Sequence, residues 1–517
     1  MKIGIDIGGT TTHAVLVTSD GRILQASQHI TTPDLLTGVK GAVQTLFERT
    51  SICPAEVKGI FIGTTELINA IFEGRVMSRT ALIRIGTQPT KIKPALTFPE
   101  TLRSSLKKVW FVKSSNHYNH ATLETNIHGG LVSILQQIEA HAIEAVSIVG
   151  TYSPLYEEEE LWVKEAIKKR FPNIAITVSH RLGSIGYIER ENAAILNALF
   201  SKLIRSLLAE LSTCFSGLAF TCPFWLTKSD GSLMTVQEAM DFPVLTIFSG
   251  VANSLKGAAI LTSYKDLLAV DIGGSKIYAG RVRNEQLREV NSSTNLAGID
   301  TSLAMPEFIS LPFGGGSIPN IEDGQVRFLP HHSNDIAIEG LSWGGSSWTV
   351  SDCFLKLFPE AFYDEKIDPA RLADLSNNNC ELVVSHVMGQ LKLALDQLQE
   401  SEEELPVVLV GGGSPLFGQE LFGQYNQVMN PAGYPISSAI GACFAPVSEV
   451  VDKVYWLHNR SKEEILDEAV AACKKAVLKK GASPESIHIS YVEEYPFAYL
   501  RGEILRVRTR AMGALIL

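Results

Sequence analysis

The sequence predicts an α/β protein built from two related domains that face each other across a cleft. Three observations carry this expectation. The stretch Ile3-Gly4-Ile5-Asp6-Ile7-Gly8-Gly9-Thr10-Thr11-Thr12 has a second copy, Leu268-Ala269-Val270-Asp271-Ile272-Gly273-Gly274-Ser275. In each, a short apolar strand delivers an aspartate to a Gly-Gly turn, where backbone N–H groups can close on a phosphate and a hydroxyl adds a donor. The aspartates stand 265 positions apart, a domain's length rather than a solenoid period. A third glycine cluster, Gly411-Gly412-Gly413-Ser414, follows the buried-strand pattern Val407-Val408-Leu409-Val410.

Length and composition agree with more than one domain. At 517 residues the chain exceeds what one core usually supports, and 45% hydrophobic residues supply ample apolar material. Forty-five basic against 55 acidic residues give a charge of −10, which argues against nucleic acid as a partner. Seven cysteines form no Cys-x-x-Cys pair, so neither a disulfide framework nor a zinc site is suggested. The first strand begins at once and no apolar run reaches spanning length, so the expectation is a soluble cytoplasmic protein with no membrane partner.

In chain order, His13 to Val17 and Ile277 to Val282 read as return strands, which puts each Gly-Gly turn at the tip of a β-hairpin. A dinucleotide fingerprint or a P-loop would need glycines that open a helix, and the P-loop lysine is missing. Val57 to Gly63 is a buried-strand pattern that releases a polar tip, Thr64-Thr65-Glu66, followed by Asn69. These groups suit either ligand contacts or a threonine helix cap. Leu196, Leu199, Leu203, Leu207 and Leu211 share one helical face. Phe242 to Phe248 reads as a strand, Ser249-Gly250 as a turn, and Asn253 to Ala259 as a helix of small residues. Phe313-Gly314-Gly315-Gly316-Ser317 is a glycine nest suited to an anion or a flexible turn, and Asp352 either faces a ligand or caps a helix. The helix at Ser437 to Ala442 contains Gly441, which allows close packing. From Asp452 the composition shifts to an amphipathic helix, Glu463 to Lys480, and alternating strands. The divisions expected are 1–200, 201–451 and a small α+β appendage, 452–517. Two histidine groups, His117, His120 and His128, and His331 and His332, lack a completing carboxylate or cysteine pattern and read as surface loops.

The paired hairpins and the late glycine loop, in this order, resemble the phosphate-one, phosphate-two and adenosine motifs of the acetate and sugar kinase, heat-shock chaperone and actin superfamily. That resemblance implies two actin-like (ribonuclease H-like) ATPase domains around a nucleotide cleft. A closer one follows from Asp6-Ile7-Gly8-Gly9-Thr10-Thr11-Thr12, Gly63-Thr64-Thr65 before Asn69-Ala70, Ile85-Gly86-Thr87-Gln88, Ser147 to Ser153, and Ile188-Glu189-Arg190 before Asn197-Ala198. These are similar to the ATP-dependent hydantoinase/oxoprolinase A family. The family implies ATP and Mg²⁺, with Asp6 and Asp271 holding the metal directly or through water. Gly8, Gly9, Thr10, Thr11, Thr12, Gly273, Gly274 and Ser275 would surround phosphate, and Gly411, Gly412 and Gly413 would line the adenosine pocket. Thr64, Thr65 and Asn69 would face the substrate, with Gly314, Gly315, Gly316, Ser317 and Asp352 completing the cleft.

The activity so implied is ATP-dependent opening of a lactam or cyclic imide, because phosphorylating the ring oxygen turns a resonance-stabilised amide into an imidate that water can attack. An ATP-driven chaperone or reactivase, or a small-molecule kinase, are the competing expectations. The family also implies a separate B-type subunit, whereas the appendage suggests a homo-oligomer. Departures stand at His13 and Tyr278, where an acidic residue is usual, at Lys276 in place of a small hydroxyl residue, and in Pro330 to Asp335, which lacks the family's glycine-rich pattern.

Overall fold

The computed structural model describes residues 1–517 apart from 33, 49, 76, 115–126, 184, 291–293, 297, 330–339, 361–366, 401–403, 424, 458–459 and 498–503. Both histidine groups and the segment 330–335 lie outside what is described, the side chain of His128 included.

β1 (Lys2–Ile7), β2 (Thr11–Val17) and β3 (Ile23–Ile30) form an antiparallel meander, and β4 (Gly59–Thr64) runs parallel to β1 on its other side. Alternation sorts the side chains. Ile3, Ile5, Ile7, Ala14, Leu16, Ile60 and Ile62 enter one core, which leaves Gly4, Asp6, His13 and Gly63 on the opposite face. At about 2 kcal/mol per buried aliphatic side chain, a one-residue slip would forfeit most of this core and bury Asp6 in it, so the register is strongly fixed.

Between β4 and the end of the first sheet the chain inserts a second, all-parallel sheet. β5 (Thr80–Gly86), β6 (Leu106–Lys113), β7 (Ala145–Gly150) and β8 (Ala175–Val178) lie in the order β6-β5-β7-β8 with a core of their own. The near-continuous apolar runs of β5 and β7 are what a strand covered on both faces requires. The leucine-faced helix is two helices, Tyr187–Leu199 and Ser201–Gly217. Ser78 inserts at the break: its N–H donates to Leu199 O at 3.0 Å, and its hydroxyl accepts from Lys202 N at 3.0 Å.

The chain then returns to the first sheet with β9 (Phe224–Thr227), parallel to β4, and β10 (Leu233–Thr235). Phe242 to Phe248 is not a strand: Pro243–Thr246 forms a 3₁₀ turn. Its backbone is satisfied locally, with Asn197 Oδ1 accepting from Val244 N and the Thr246 hydroxyl donating to Pro243 O, and Ser249 opens the next helix directly. The segment Pro243–Thr262 is also apolar and long enough to span a bilayer, contrary to the expectation from the sequence; 78% of its most apolar window is buried inside the protein.

In the second domain β11 (Leu267–Ile272) and β12 (Ile277–Arg283) are antiparallel, Phe308–Leu311 pairs with β12, and Val407–Val410 and Val428–Met429 continue in parallel beyond β11. This is the order and direction of β3, β2, β1, β4 and β9. The last part of the chain goes back to the first domain. Val447–Trp456 pairs with β10, Ile504–Gly513 with Val447–Trp456, and His488–Pro496 forms the edge, making a nine-stranded sheet. Helix Lys462–Lys479 covers it, opened by a capping box between Ser461 and Glu464. The divisions at 200 and 451 therefore follow the chain but not the sheets, since 224–235 and 447–513 both add strands to the first sheet.

Candidate functional site

Two helices of small residues cross between the domains, Ser249–Thr262 and Ser437–Cys443. A Cβ on Gly257 would lie 1.9 Å from Ser437 O, and one on Gly441 would lie 1.9 Å from Asn253 O. The backbones touch at these positions, as expected of Gly441, and only glycine permits it. Each helix lies on the Asp-bearing face of one sheet: Gly4 of β1 meets Ala439 O, while Leu255 and Ala258 pack with Leu267 and Ala269 of β11. The crossing therefore sets the distance between the hairpins.

Asp6 and Asp271 occupy equivalent places in this arrangement. In register, Asp6 pairs with His13 and Asp271 with Tyr278. Behind each turn a glycine N–H closes the hairpin, Gly8 N to Thr11 O at 3.1 Å and Gly273 N to Lys276 O at 3.0 Å. Glycines also crowd the carboxylates. A Cβ on Gly63 or Gly250 would stand 3.3 or 3.4 Å from Asp6 Oδ1, and one on Gly411 2.3 Å from Asp271 Oδ1. Asp6 Oδ1 is sealed from solvent and has no hydrogen-bond partner, although part of the residue is exposed. Burial pushes the Asp6 carboxyl up from 3.8 to about 7, a hydrogen bond from Ser438 opposes this, and the charge of Asp271 adds to it. Asp271 is raised by burial too, with Ser254 opposing. Both carboxyls thus resist ionisation, and Asp6 also senses the charge of Asp271.

The neighbours of the two aspartates differ. Burial, opposed by a hydrogen bond with Gln28, pushes the His13 imidazole down to about 4, so it is neutral, and its Nε2 is sealed without a partner. The Tyr278 phenol is held un-ionised by burial and by the charge of Asp271; its ring meets Phe308 edge-on, and Phe308 meets Phe248 at the start of the 249–262 helix. Lys276, at the second hairpin tip, places its ammonium 3.7 Å from the ring centroid of Phe72 in the first domain.

The remaining predicted residues divide into those at the cleft and those committed elsewhere. Thr65 lies beside Gly250, with its hydroxyl accepting from Asn69 Nδ2 at 3.3 Å. Thr64 is buried: its hydroxyl accepts from Glu66 N at the start of helix Glu66–Phe72, and its backbone exchanges hydrogen bonds with the Ser249 hydroxyl. Thr64 thus serves the first turn of the helix, while Thr65, its N-cap by position, makes no side-chain cap bond and stays near Asp6. Gly411 has φ +86°, Gly413 N donates to Ile272 O at 2.9 Å, and Gly412 is exposed, so the third glycine loop is seated against the second hairpin.

The glycine nest does not await an anion. Gly315 N donates to Gly273 O at 2.9 Å, Gly316 N to Gly274 O at 2.7 Å, Ser317 N to Gly314 O and Gly314 N to the Ser317 hydroxyl. Two of its N–H groups are spent bracing the second turn and two within the nest itself, and Gly314 is needed because a Cβ there would lie 2.4 Å from Gly273 O. Asp352 is likewise corrected from a ligand contact to a cap. It is fully buried, and its oxygens accept from Leu341 N, Ser342 N, Thr349 N and the hydroxyls of Ser342 and Thr349. Those five donors more than occupy the roughly four lone-pair sites of a carboxylate, leaving none for a ligand.

Sequence reasoning passed over Ser254 and Ser438, the hydroxyls beside the aspartates, and Asn253, whose Nδ2 donates to the Thr227 hydroxyl at 2.7 Å while its Oδ1 is sealed and unpartnered. The signal was available. Asn253-Ser254 and Ser437-Ser438 each place polar residues four and three positions before the helix glycine that makes the crossing.

Known proteins share the fold and the sequence pattern of a family. Residues 2–171 match the hydantoinase/oxoprolinase N-terminal region, and residues 190–451 match hydantoinase/oxoprolinase. Among solved structures, the ATP-dependent caprolactamase from Pseudomonas jessenii superposes with a TM-score of 0.79 at 15% identity, covering 100% of this chain and 88% of that one. A nucleotide-free acetone carboxylase gives 0.70 at 16% identity with the same coverages. The Methanocaldococcus jannaschii protein MJ0964 is 22% identical over 359 residues, 63% of this chain and 51% of the relative, so the chain spans about half that protein's length. The two family matches together cover most of the chain, its paired hairpins and crossing helices included, and on that ground it belongs to the hydantoinase/oxoprolinase family.

Proposed function

We propose that this chain is the ATP-using component of an amidohydrolase that opens a lactam or cyclic imide. Family membership supports an ATP-dependent enzyme, and the caprolactamase with the same fold acts on a cyclic amide. The observation that carries the reading is the pair of half-buried aspartates, each at a Gly-Gly hairpin tip and joined through helices that cross backbone to backbone.

The residues fit Mg²⁺ with nucleotide phosphates. Hard carboxylate oxygens, one of them unpartnered, and turns built of small residues are what such a group requires. Bound there, Mg²⁺ would neutralise phosphate charge and favour phosphoryl transfer. Asp6 and Asp271 would hold it, and Thr10, Thr11, Thr12 and Ser275 would accompany the phosphates. Thr65, beside Asp6, and Asn69, which bonds it, would orient the ring, and the neutral His13 would offer a hydrogen bond rather than a charge. In the reaction the γ-phosphoryl group passes to the ring carbonyl oxygen and ADP leaves. Water then adds to the carbon and collapse expels the ring nitrogen as an amine, leaving an acyl phosphate; a second water attacks the same carbon and expels phosphate carrying the former carbonyl oxygen, leaving the carboxylate. The second half of this sequence is the step a B-type subunit would perform, with this chain in the cytoplasm beside it.

Isotope labelling tests the reading. With heavy oxygen in the carbonyl of a lactam that is turned over, released phosphate should carry the label. A kinase would keep it in a phosphorylated product, and a conformational machine would leave it in the substrate. Ring opening with unlabelled phosphate would refute carbonyl activation.

A further inference from the structure

The short helix Glu66–Phe72 and the residue before it carry a stripe from the aspartate pair to the other domain. Thr65, Asn69 and Phe72 follow one another at intervals of four and three, so they share one helical face. The residues between them, Glu66, Leu67, Ile68, Ala70 and Ile71, are buried, whereas Thr65 and Asn69 are half-buried and Phe72 is 57% exposed. Thr65 begins the stripe beside Asp6: a Cβ on Gly250 would stand 3.0 Å from Thr65 Cγ2 and 3.4 Å from Asp6 Oδ1. Phe72 ends it beneath the ammonium of Lys276, which comes from the second hairpin. One helical face thus joins the place of the metal to a cation across the cleft.

Hydrogen bonds orient the groups along this face. The Thr65 hydroxyl donates to Ile7 O at 3.5 Å, so it accepts from Asn69 Nδ2, which leaves Asn69 Oδ1 turned away from Thr65 and without a partner among the described residues. Lys276 is anchored through its backbone. Its carbonyl accepts from Gly273 N at 3.0 Å, and its N would lie 2.7 Å from a Cβ on Gly314, so only the side chain is free to adjust. The residue is half-buried, and among the described residues no carboxylate pairs with its ammonium. Burial lowers its charge, and neither Asp6 nor Asp271 acts on it, which sets it apart from the metal corner. An ammonium held over a ring face keeps N–H donors for an anion.

We propose that Lys276 selects the charge of the substrate, so that the cleft takes a lactam or cyclic imide bearing a carboxylate, its ring N–H donated to Asn69 Oδ1, its ring against Phe72 and its carboxylate on the Lys276 ammonium. The inference rests on the functional reading above and narrows it from cyclic amides at large to anionic ones. Three residues of helix advance about 4.5 Å from Asn69 to Phe72, the scale of a small ring. One ring can therefore meet both while its carbonyl stays at the Thr65 end, toward Asp6. A neutral ring would gain the same floor and leave the ammonium without an anion.

Calorimetry on the full chain, saturated with Mg²⁺ and a nonhydrolysable ATP analogue, tests this with rings of one size: δ-valerolactam carrying a carboxylate next to its nitrogen, the same ring carrying a carboxamide there, and δ-valerolactam itself. The carboxylate should bind about tenfold or more tightly than either neutral ring, since a charged hydrogen bond separates them. Lys276→Met should erase the preference by weakening the carboxylate alone, Lys276→Arg should keep most of it, and both should hold the nucleotide analogue as the parent does. Asn69→Ala should weaken all the rings alike. Equal binding of the rings, a preference that survives Lys276→Met, or no binding of the carboxylate at millimolar concentration would overturn the assignment. So would a loss on Lys276→Met that the nucleotide analogue shares, which would place the ammonium on phosphate. The readout does not use turnover, so the two readings fail separately: a chain that binds the carboxylate in this pattern but does not open it with ATP would refute the functional reading and leave the role of Lys276 standing, whereas ATP-dependent opening of neutral and anionic rings alike would do the reverse.

Discussion

The two aspartate hairpins share a backbone and diverge in chemistry. β1–β2 and β11–β12 pair in the same register, each aspartate has a serine from the facing helix beside it, and each helix lays its glycine on the other's carbonyl four residues before that helix's own glycine. What differs is the residue opposite each aspartate. His13 leaves a polar atom unmet in the first half, whereas Tyr278 joins an aromatic chain in the second. The second turn is further clamped by the glycine nest, and the first is not. Duplicated architecture thus supplies the same hairpin geometry twice, with the second half braced by packing and the first left with an unmet polar atom beside its aspartate.

Breaking the crossing should have the largest effect. Gly441→Ala and Gly257→Ala each drive a Cβ into a carbonyl, so both should lose about 3 kcal/mol or more in denaturant melts. If only one suffers, the halves are not mechanically equivalent. Next, Asp6→Asn and Asp271→Asn should each weaken Mg-ATP binding by about a hundredfold in calorimetry. The same substitution at Asp6 sharpens the contrast through pH. Its folded carboxyl lies at about 7 against 3.8 unfolded, so the fold favours the protonated form; the cost of ionisation begins above the lower value and is complete above the upper. Without metal, Asp6→Asn should therefore be more stable than the parent above neutral pH, by up to about 4 kcal/mol, and equal to it near pH 4. Thermal melts across that range check the sign, and an unchanged difference would show that Asp6 is not a buried charge. Tyr278→Phe should cost about 1 kcal/mol by removing the phenol's hydrogen bond with Ser310. The smallest effect is expected from Lys276→Ala, which removes the cation from Phe72 at about 0.5–1 kcal/mol. A larger loss confined to nucleotide binding would show that Lys276 serves the phosphates instead.

The hairpins were legible because their determinants are local: alternation, an aspartate and two glycines within a dozen residues. Gly441 was legible because a helix of small residues has one main use. The nest was misread because glycines advertise exposed N–H groups, and nothing near Gly314 in the sequence says that Gly273 and Gly274 consume them. Asp352 looked free for the same reason, its partners at 341 and 342 being too far upstream to register as a turn. The helix break depended on Ser78, more than a hundred positions away. In each case the missing information was a partner, not a propensity.

The return of Val447–Gly513 to the first sheet bears on how the protein is made. Until those residues leave the ribosome, β10 is an unpaired edge, and Arg508 and Arg510, which bond Glu289, with Arg510 also bonding Asp230 at 3.0 Å, have not arrived. The first domain to be synthesised is the last to be completed. A chain with such distant pairings folds slowly and carries an open edge through most of translation, so nascent chains stalled before residue 447 should be prone to association through β10 and protected once residue 513 has emerged.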